Sequence, residues 1–101
     1  EKEYKGLPKY PAVERDIALV VMDGIPVKEI EAAVRKFGGE LLEEVKLFDV
    51  YKGEQVPEGM KSVAYTLIFR SPERTLVDDE VNRIMEKILD GLKTEMNATL
   101  R

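Results

Sequence analysis

Residues 62–69 alternate between small or polar side chains and large apolar ones, with Ile68 as the one exception. The apolar set is Val63, Tyr65, Leu67 and Phe69. The set between them is Ser62, Ala64 and Thr66. Because successive side chains of a strand point to opposite faces, this pattern predicts a strand with one buried and one solvent-facing side. Such a strand is typical of an antiparallel sheet, since parallel sheets are covered on both faces.

Two stretches have apolar residues at helical spacing and are predicted to form helices that pack on one face of that sheet. The first is predicted over Val27 to Phe37 and is ended by a pair of glycines. The second repeats apolar residues at i, i+3, i+4 and i+7 from Val81 to Leu92. The acidic run 78–80 precedes it, where the helix dipole favours negative charge, and Asp78 is the predicted N-cap.

Three further segments are predicted strands: the apolar run 17–22, the segment 41–51 with its β-branched and aromatic residues, and the short 99–100. The order is then β-α-β-β-α-β, which is the ferredoxin-like arrangement. Right-handed connections place both helices on one face of a four-stranded antiparallel sheet. The predicted fold class is therefore α+β, with the other face of the sheet left open for a partner.

A length of 101 residues supports one domain. Residues 1–14 are polar and contain Gly6, Pro8 and Pro11, so we predict an extended segment from an upstream domain, followed by the domain at 15–101. No apolar run approaches the roughly 20 residues that span a bilayer, and we expect no signal peptide from residues 1–14. The cytoplasm is the expected compartment, with no membrane partner.

The chain has no histidine and no cysteine, and its net charge is −4. Without cysteine there is no disulfide, thiolate nucleophile or zinc ribbon, and without histidine there is no imidazole base or ligand. We therefore expect a binding domain without catalytic residues, cofactor or metal. The acidic balance is not typical of a nucleic-acid binder.

The open face has a distinctive predicted corner. In the strand 41–51, Phe48 and Val50 are predicted core residues, which turns Asp49 and Tyr51 outward. Hairpin pairing with the next strand brings them beside Ser62. A Tyr ring can stack on a base for roughly 1–3 kcal/mol, and a carboxylate can accept hydrogen bonds from the Watson–Crick edge of guanine. These residues predict a site for an unstacked nucleobase.

Four cations are predicted on or near the same edge as candidate phosphate contacts: Lys52, Lys61, Arg70 and Arg74. The alternative interpretation is an ordinary solvated surface, which agrees with the acidic balance. A second functional hypothesis is a protein-interaction module that associates through the open face or an edge strand. A long exposed edge, or an apolar patch across Ile17, Leu19 and Val21, would favour it. A carboxylate enzyme would need paired acids in a pocket, and the spacing does not provide them.

Several sequence blocks, in this order and spacing, resemble one family. They are PAVERD (11–16), LFDVYKG (47–53), PEGMKS (57–62), RTLVDDEV (74–81) and the final LR (100–101). The chain resembles the ferredoxin-fold anticodon-binding domain at the C-terminus of the bacterial phenylalanine–tRNA ligase beta chain. Nearly the whole chain takes part in the resemblance, and no motif residue departs from it.

The resemblance implies that Asp49, Tyr51 and Ser62 contact the first anticodon base of tRNA-Phe, a guanine, and that Arg101 matches the closing arginine of the family. It implies a non-catalytic part of a class II aminoacyl-tRNA synthetase. ATP, magnesium and phenylalanine would then belong to the alpha chain of the parent enzyme. The expected partners are the tRNA-Phe anticodon stem-loop, the other domains of the beta chain and the alpha chain.

Overall fold

The computed structural model describes residues 10–101. Its elements are β1 (Val13–Met22), α1 (Val27–Gly38), β2 (Leu42–Tyr51), β3 (Met60–Phe69), α2 (Asp78–Met96) and β4 (Thr99–Leu100). The sheet has the order β2-β3-β1-β4 and is antiparallel throughout. The predicted ferredoxin-like fold is confirmed. Residues 1–9 of the predicted leading segment lie outside the described residues, and β1 begins within that segment, at Val13.

One hydrophobic core lies between the sheet and the two helices. Its fully or nearly buried strand residues are Ile17, Leu19, Val21, Leu42, Val45, Val63, Tyr65, Leu67 and Phe69. The helices add Ile30, Val34, Val81, Ile88 and Leu92. The alternation in β3 therefore assigns the helix side of the sheet correctly. None of the helices within residues 10–101 has the length and apolar content needed to cross a membrane.

The open side of β3 is less exposed than its alternation predicts. Ser62 and Ala64 are buried, and Thr66 is half-buried. The cause is position, because β3 lies between β2 and β1 and its small side chains are flanked by longer ones. Ser62, for example, lies directly between Tyr51 of β2 and Val20 of β1.

The end of α1 agrees with the prediction, whereas the predicted N-cap of α2 needs correction. Gly39 ends α1 with a φ of 75°, a left-handed conformation that glycine adopts without strain. The prediction of Asp78 as N-cap of α2 is wrong, because Asp78 is the first helical residue and Val77 is the N-cap. The capping acceptor is the Glu80 carboxylate, which accepts a hydrogen bond from the Val77 N–H at 3.0 Å.

The same carboxylate makes the start of α2 sensitive to acid. Arg74 donates to Glu80 at 2.6 Å and, with the Val77 N–H, lowers the pKa of Glu80 from 4.5 to about 2. A lowered pKa in the folded chain means that ionised Glu80 stabilises the fold above about pH 4.5, and that this stabilisation is lost as the pH falls towards 2. The contribution is small because both groups are exposed to solvent.

We expect Glu80→Gln to lower the melting temperature slightly at pH 7 and to have a smaller effect at pH 2, where about half of wild-type Glu80 is already protonated. Thermal unfolding followed by circular dichroism between pH 2 and 7 measures the difference. Glu86→Gln, at an exposed position of the same helix, is the matched control and should show no such trend. A difference between wild type and Glu80→Gln that stayed constant with pH would contradict the assigned role.

Candidate nucleic-acid interface

A β-bulge in β2 determines which of its side chains face the open side of the sheet. Leu47 lies on the helix side of the strand. The pairing with β3 then shifts by one residue, which leaves Phe48 without a partner. Asp49 and Tyr51 consequently lie on the open face, and Tyr51 is directly opposite Ser62. The bulge thus resets the alternation immediately before the two predicted site residues.

The predicted burial of Phe48 and Val50 is wrong. Phe48 is 57% exposed and Val50 is 46% exposed. Because β2 is an edge strand, this end of it extends beyond the cover that the helices provide. Asp49 and Tyr51 nevertheless face outward as predicted, but the bulge places them there and not an uninterrupted period of two.

Arg101 joins the neighbouring strands at this corner. Its guanidinium carbon lies 5.1 Å from the centre of the Tyr51 ring, within the range of a cation–π interaction. One guanidinium nitrogen donates to the Ser62 hydroxyl at 3.3 Å, and another donates to the Gln55 side-chain oxygen at 3.0 Å. We call Asp49, Tyr51, Gln55, Ser62 and Arg101 the open-face cluster.

Ser62 has a different setting from the predicted one. Its hydroxyl was expected on an exposed patch, but the residue is only 2% exposed, so that expectation is wrong. The ring of Tyr51 on the adjacent strand and the guanidinium of Arg101 lie next to it and keep it from solvent. In this arrangement the hydroxyl oxygen holds Arg101 in place.

Lys52 is adjacent to Tyr51 in sequence, but its side chain pairs with Asp23 and not with a residue of the cluster. Its ammonium group is 3.1 Å from a carboxylate oxygen of Asp23. Lys61 points to the other side of the sheet, where it is 8% exposed and donates to the backbone oxygen of Ile25 at 2.7 Å. The predicted position of Lys61 near the cluster is therefore wrong, because it lies one residue out of phase with Ser62.

Arg70 and Arg74 lie at the far end of the sheet. Arg70 comes eight positions after Ser62, which corresponds to roughly 26 Å along a strand. Its guanidinium donates to Glu43 and to the backbone oxygen of Tyr10, each at 2.7 Å. Arg74 is paired with Glu80 at the start of α2. The prediction that these two arginines share an edge with the cluster is wrong.

Gln55 is the residue of the cluster that the sequence did not predict. It lies in the loop between β2 and β3, beside the buried Val56. Loop residues have no alternation that assigns them to a face, so no sequence pattern indicates the contact with Arg101. Across residues 10–101, no three acidic side chains gather closely enough to hold a metal ion.

An open-faced, ferredoxin-like sheet with an aromatic ring, a carboxylate and a guanidinium at one corner defines a small α+β binding domain. Comparison of the sequence with known protein families identifies which family of such domains the chain belongs to. The family described as the ferredoxin-fold anticodon binding domain matches residues 8–101, and the chain belongs to this family.

Relatives with similar sequences carry the name phenylalanine–tRNA ligase beta subunit. The protein from Clostridium tetani is 56% identical over 101 residues, which is 100% of this chain and 13% of the relative. The protein from Moorella thermoacetica is 49% identical over 98 residues, or 97% of this chain and 12% of the relative. For Bacillus subtilis the identity is 45% over 98 residues, with the same two shares. The chain thus spans about an eighth of the length of these relatives.

Proposed function

We propose that the domain binds the anticodon of tRNA-Phe through the open-face cluster, as part of the beta subunit of a phenylalanine–tRNA ligase. The observation that carries the proposal is the convergence of Tyr51, Ser62 and Arg101, with Asp49 two residues before Tyr51 on the same face. Family membership supports the same task.

The roles follow from the chemistry of each group. The ring of Tyr51 stacks on an unpaired base, and the Asp49 carboxylate accepts hydrogen bonds from the two donors on the Watson–Crick edge of guanine. Arg101 donates hydrogen bonds to the base or to a phosphate, supported by Ser62 and Gln55. These roles depend on a few side chains at one end of the sheet, whereas net charge describes the whole surface. The net charge of −4 is therefore compatible with them.

Under this proposal the domain itself is non-catalytic. ATP, magnesium and phenylalanine are handled elsewhere in a class II enzyme that contains the alpha chain and the other domains of the beta chain, in the cytoplasm. Since each of the four candidate cations is bonded to a group outside the cluster, we expect the isolated domain to bind an anticodon stem-loop weakly.

We expect Asp49→Asn to weaken binding of a stem-loop with guanine as first anticodon base by roughly tenfold or more, since a hydrogen bond to a charged group contributes about 1.5–3 kcal/mol. The substitution should change the affinity for a stem-loop with adenine at that position only slightly, because adenine lacks the paired donors of guanine. Fluorescence anisotropy with both labelled RNAs at one salt concentration measures the two affinities.

The matched control is Asp90→Asn, which neutralises an exposed carboxylate on α2, away from the open face. It should leave both affinities unchanged within about twofold. An equal loss for the guanine and adenine stem-loops in Asp49→Asn would show that Asp49 does not read the base.

One observation favours the alternative of a protein-interaction module. Among residues 10–101 the outer edge of the ten-residue β2 pairs with no strand, and Leu47, Phe48 and Val50 are exposed along it. The apolar set of β1 gives no such support, because it is buried under the helices. Sedimentation at several concentrations separates the two functions: self-association without affinity for RNA would favour the alternative.

A further inference from the structure

The ring of Tyr51 lies against Gly53, the last residue of the LFDVYKG block. A Cβ atom added to Gly53 would fall 2.7 Å from the ring carbon that bears the hydroxyl group, and closer still to the hydroxyl oxygen. Real side chains do not approach one another so closely. The present position of the ring therefore requires that residue 53 has no side chain.

Gly53 is not a glycine that the backbone conformation requires. Within residues 10–101, the glycines with positive φ are Gly39 and Gly59. Gly59 lies in the same loop with a φ of 84° and open space where its Cβ would be. The two loop glycines thus differ in their physical reasons: Gly59 permits a left-handed turn, whereas Gly53 makes room for an aromatic ring.

We propose that Gly53 is a positioning residue of the open-face cluster, which leaves room for the hydroxyl end of the Tyr51 ring against the loop and so keeps the ring within reach of Arg101. Its relevance to RNA rests on the proposed anticodon binding. The ring is the far end of a side chain with two rotatable bonds, so an added methyl group displaces the ring and not the strand. A displaced ring loses both its stacking position and its contact with the Arg101 guanidinium.

NMR spectroscopy of the chain tests the positioning without any RNA. In the wild type the Tyr51 ring should shift the resonances of the Arg101 side-chain protons, since the guanidinium carbon lies 5.1 Å from the ring centre. We expect Gly53→Ala to remove these shifts. Gly24→Ala is the matched control, because Gly24 also lacks a positive φ and has no atom within 4 Å of its Cβ position. Unchanged Arg101 resonances in Gly53→Ala would overturn the proposal.

A double-mutant cycle tests the consequence for RNA. In the wild-type background, we expect Gly53→Ala to weaken binding of the anticodon stem-loop by about fivefold or more. In the Tyr51→Ala background, the same substitution should weaken binding by less than about twofold. Equal losses in the two backgrounds would overturn the inference that Gly53 acts through Tyr51. A wild-type chain that failed to bind the stem-loop would overturn the proposed function instead, and the NMR comparison would still decide whether Gly53 positions the ring.

Discussion

Replacement of Phe69 by alanine should lower the free energy of unfolding by about 3–5 kcal/mol, the range observed when a buried aromatic side chain is deleted. Phe69 is fully buried at the end of β3. It lies directly opposite Val13 of β1 and Leu42 of β2, so its loss leaves a cavity shared by three strands. Urea unfolding followed by circular dichroism gives the difference in free energy.

Phe48→Ala is the matched control for this measurement. The residue type and the size of the deletion are the same, but Phe48 is exposed at the bulge of β2. We expect a change within about 0.5 kcal/mol, as for surface positions in general. A similar destabilisation by both substitutions would mean that the assigned burial of β2 and β3 is incorrect.

Tyr51→Ala should weaken binding of the tRNA-Phe anticodon stem-loop by roughly 5- to 150-fold, which corresponds to the loss of one base-stacking interaction of 1–3 kcal/mol. The substitution removes the one aromatic ring of the open-face cluster and its contact with Arg101. Titration of the labelled stem-loop measures the affinity. In the intact ligase, the same substitution should impair aminoacylation of tRNA and leave amino-acid activation unaffected.

Two further variants make the result specific. Tyr51→Phe keeps the stacking surface and should retain most of the affinity. Tyr10→Ala removes a tyrosine at the opposite end of the sheet, beside Arg70, and should have no effect. An equal loss of amino-acid activation and aminoacylation in Tyr51→Ala would contradict a role confined to the anticodon.

The fold could be predicted because its determinants are periodic. The alternation of residues 62–69 identifies an antiparallel strand, and the helical spacing from Val81 to Leu92 identifies the long helix. Helix ends depend on single hydrogen bonds, which periodicity does not report. Asp78 and Glu80 are both acidic residues near the start of α2, and only the structure shows that Glu80 is the one that caps it.

The candidate site was predictable in part. Asp49 and Tyr51 face outward as expected, but only because a bulge compensates for an incorrect assumption about Phe48. A bulge inserts one residue without a reliable sequence signal. The faces assigned by alternation from one end of a strand can therefore be wrong beyond the bulge. The contact between Arg101 and Gln55 joins distant parts of the chain, and neither residue shows a periodic pattern.

The short strand β4 holds Arg101 at the open-face cluster, and its pairing can open without unfolding of the whole domain. Asn97, with a φ of 57°, reverses the chain after α2, and β4 then pairs with β1 over only two residues. Arg101 follows with one backbone hydrogen bond to Ala18 at 2.9 Å. A ladder this short can open without the core unfolding, and its amides should exchange with solvent sooner than those of β3. Opening would withdraw the guanidinium from Tyr51 and uncover the Ser62 hydroxyl, so occupancy of the cluster by Arg101 is governed by a local equilibrium, largely independent of global stability.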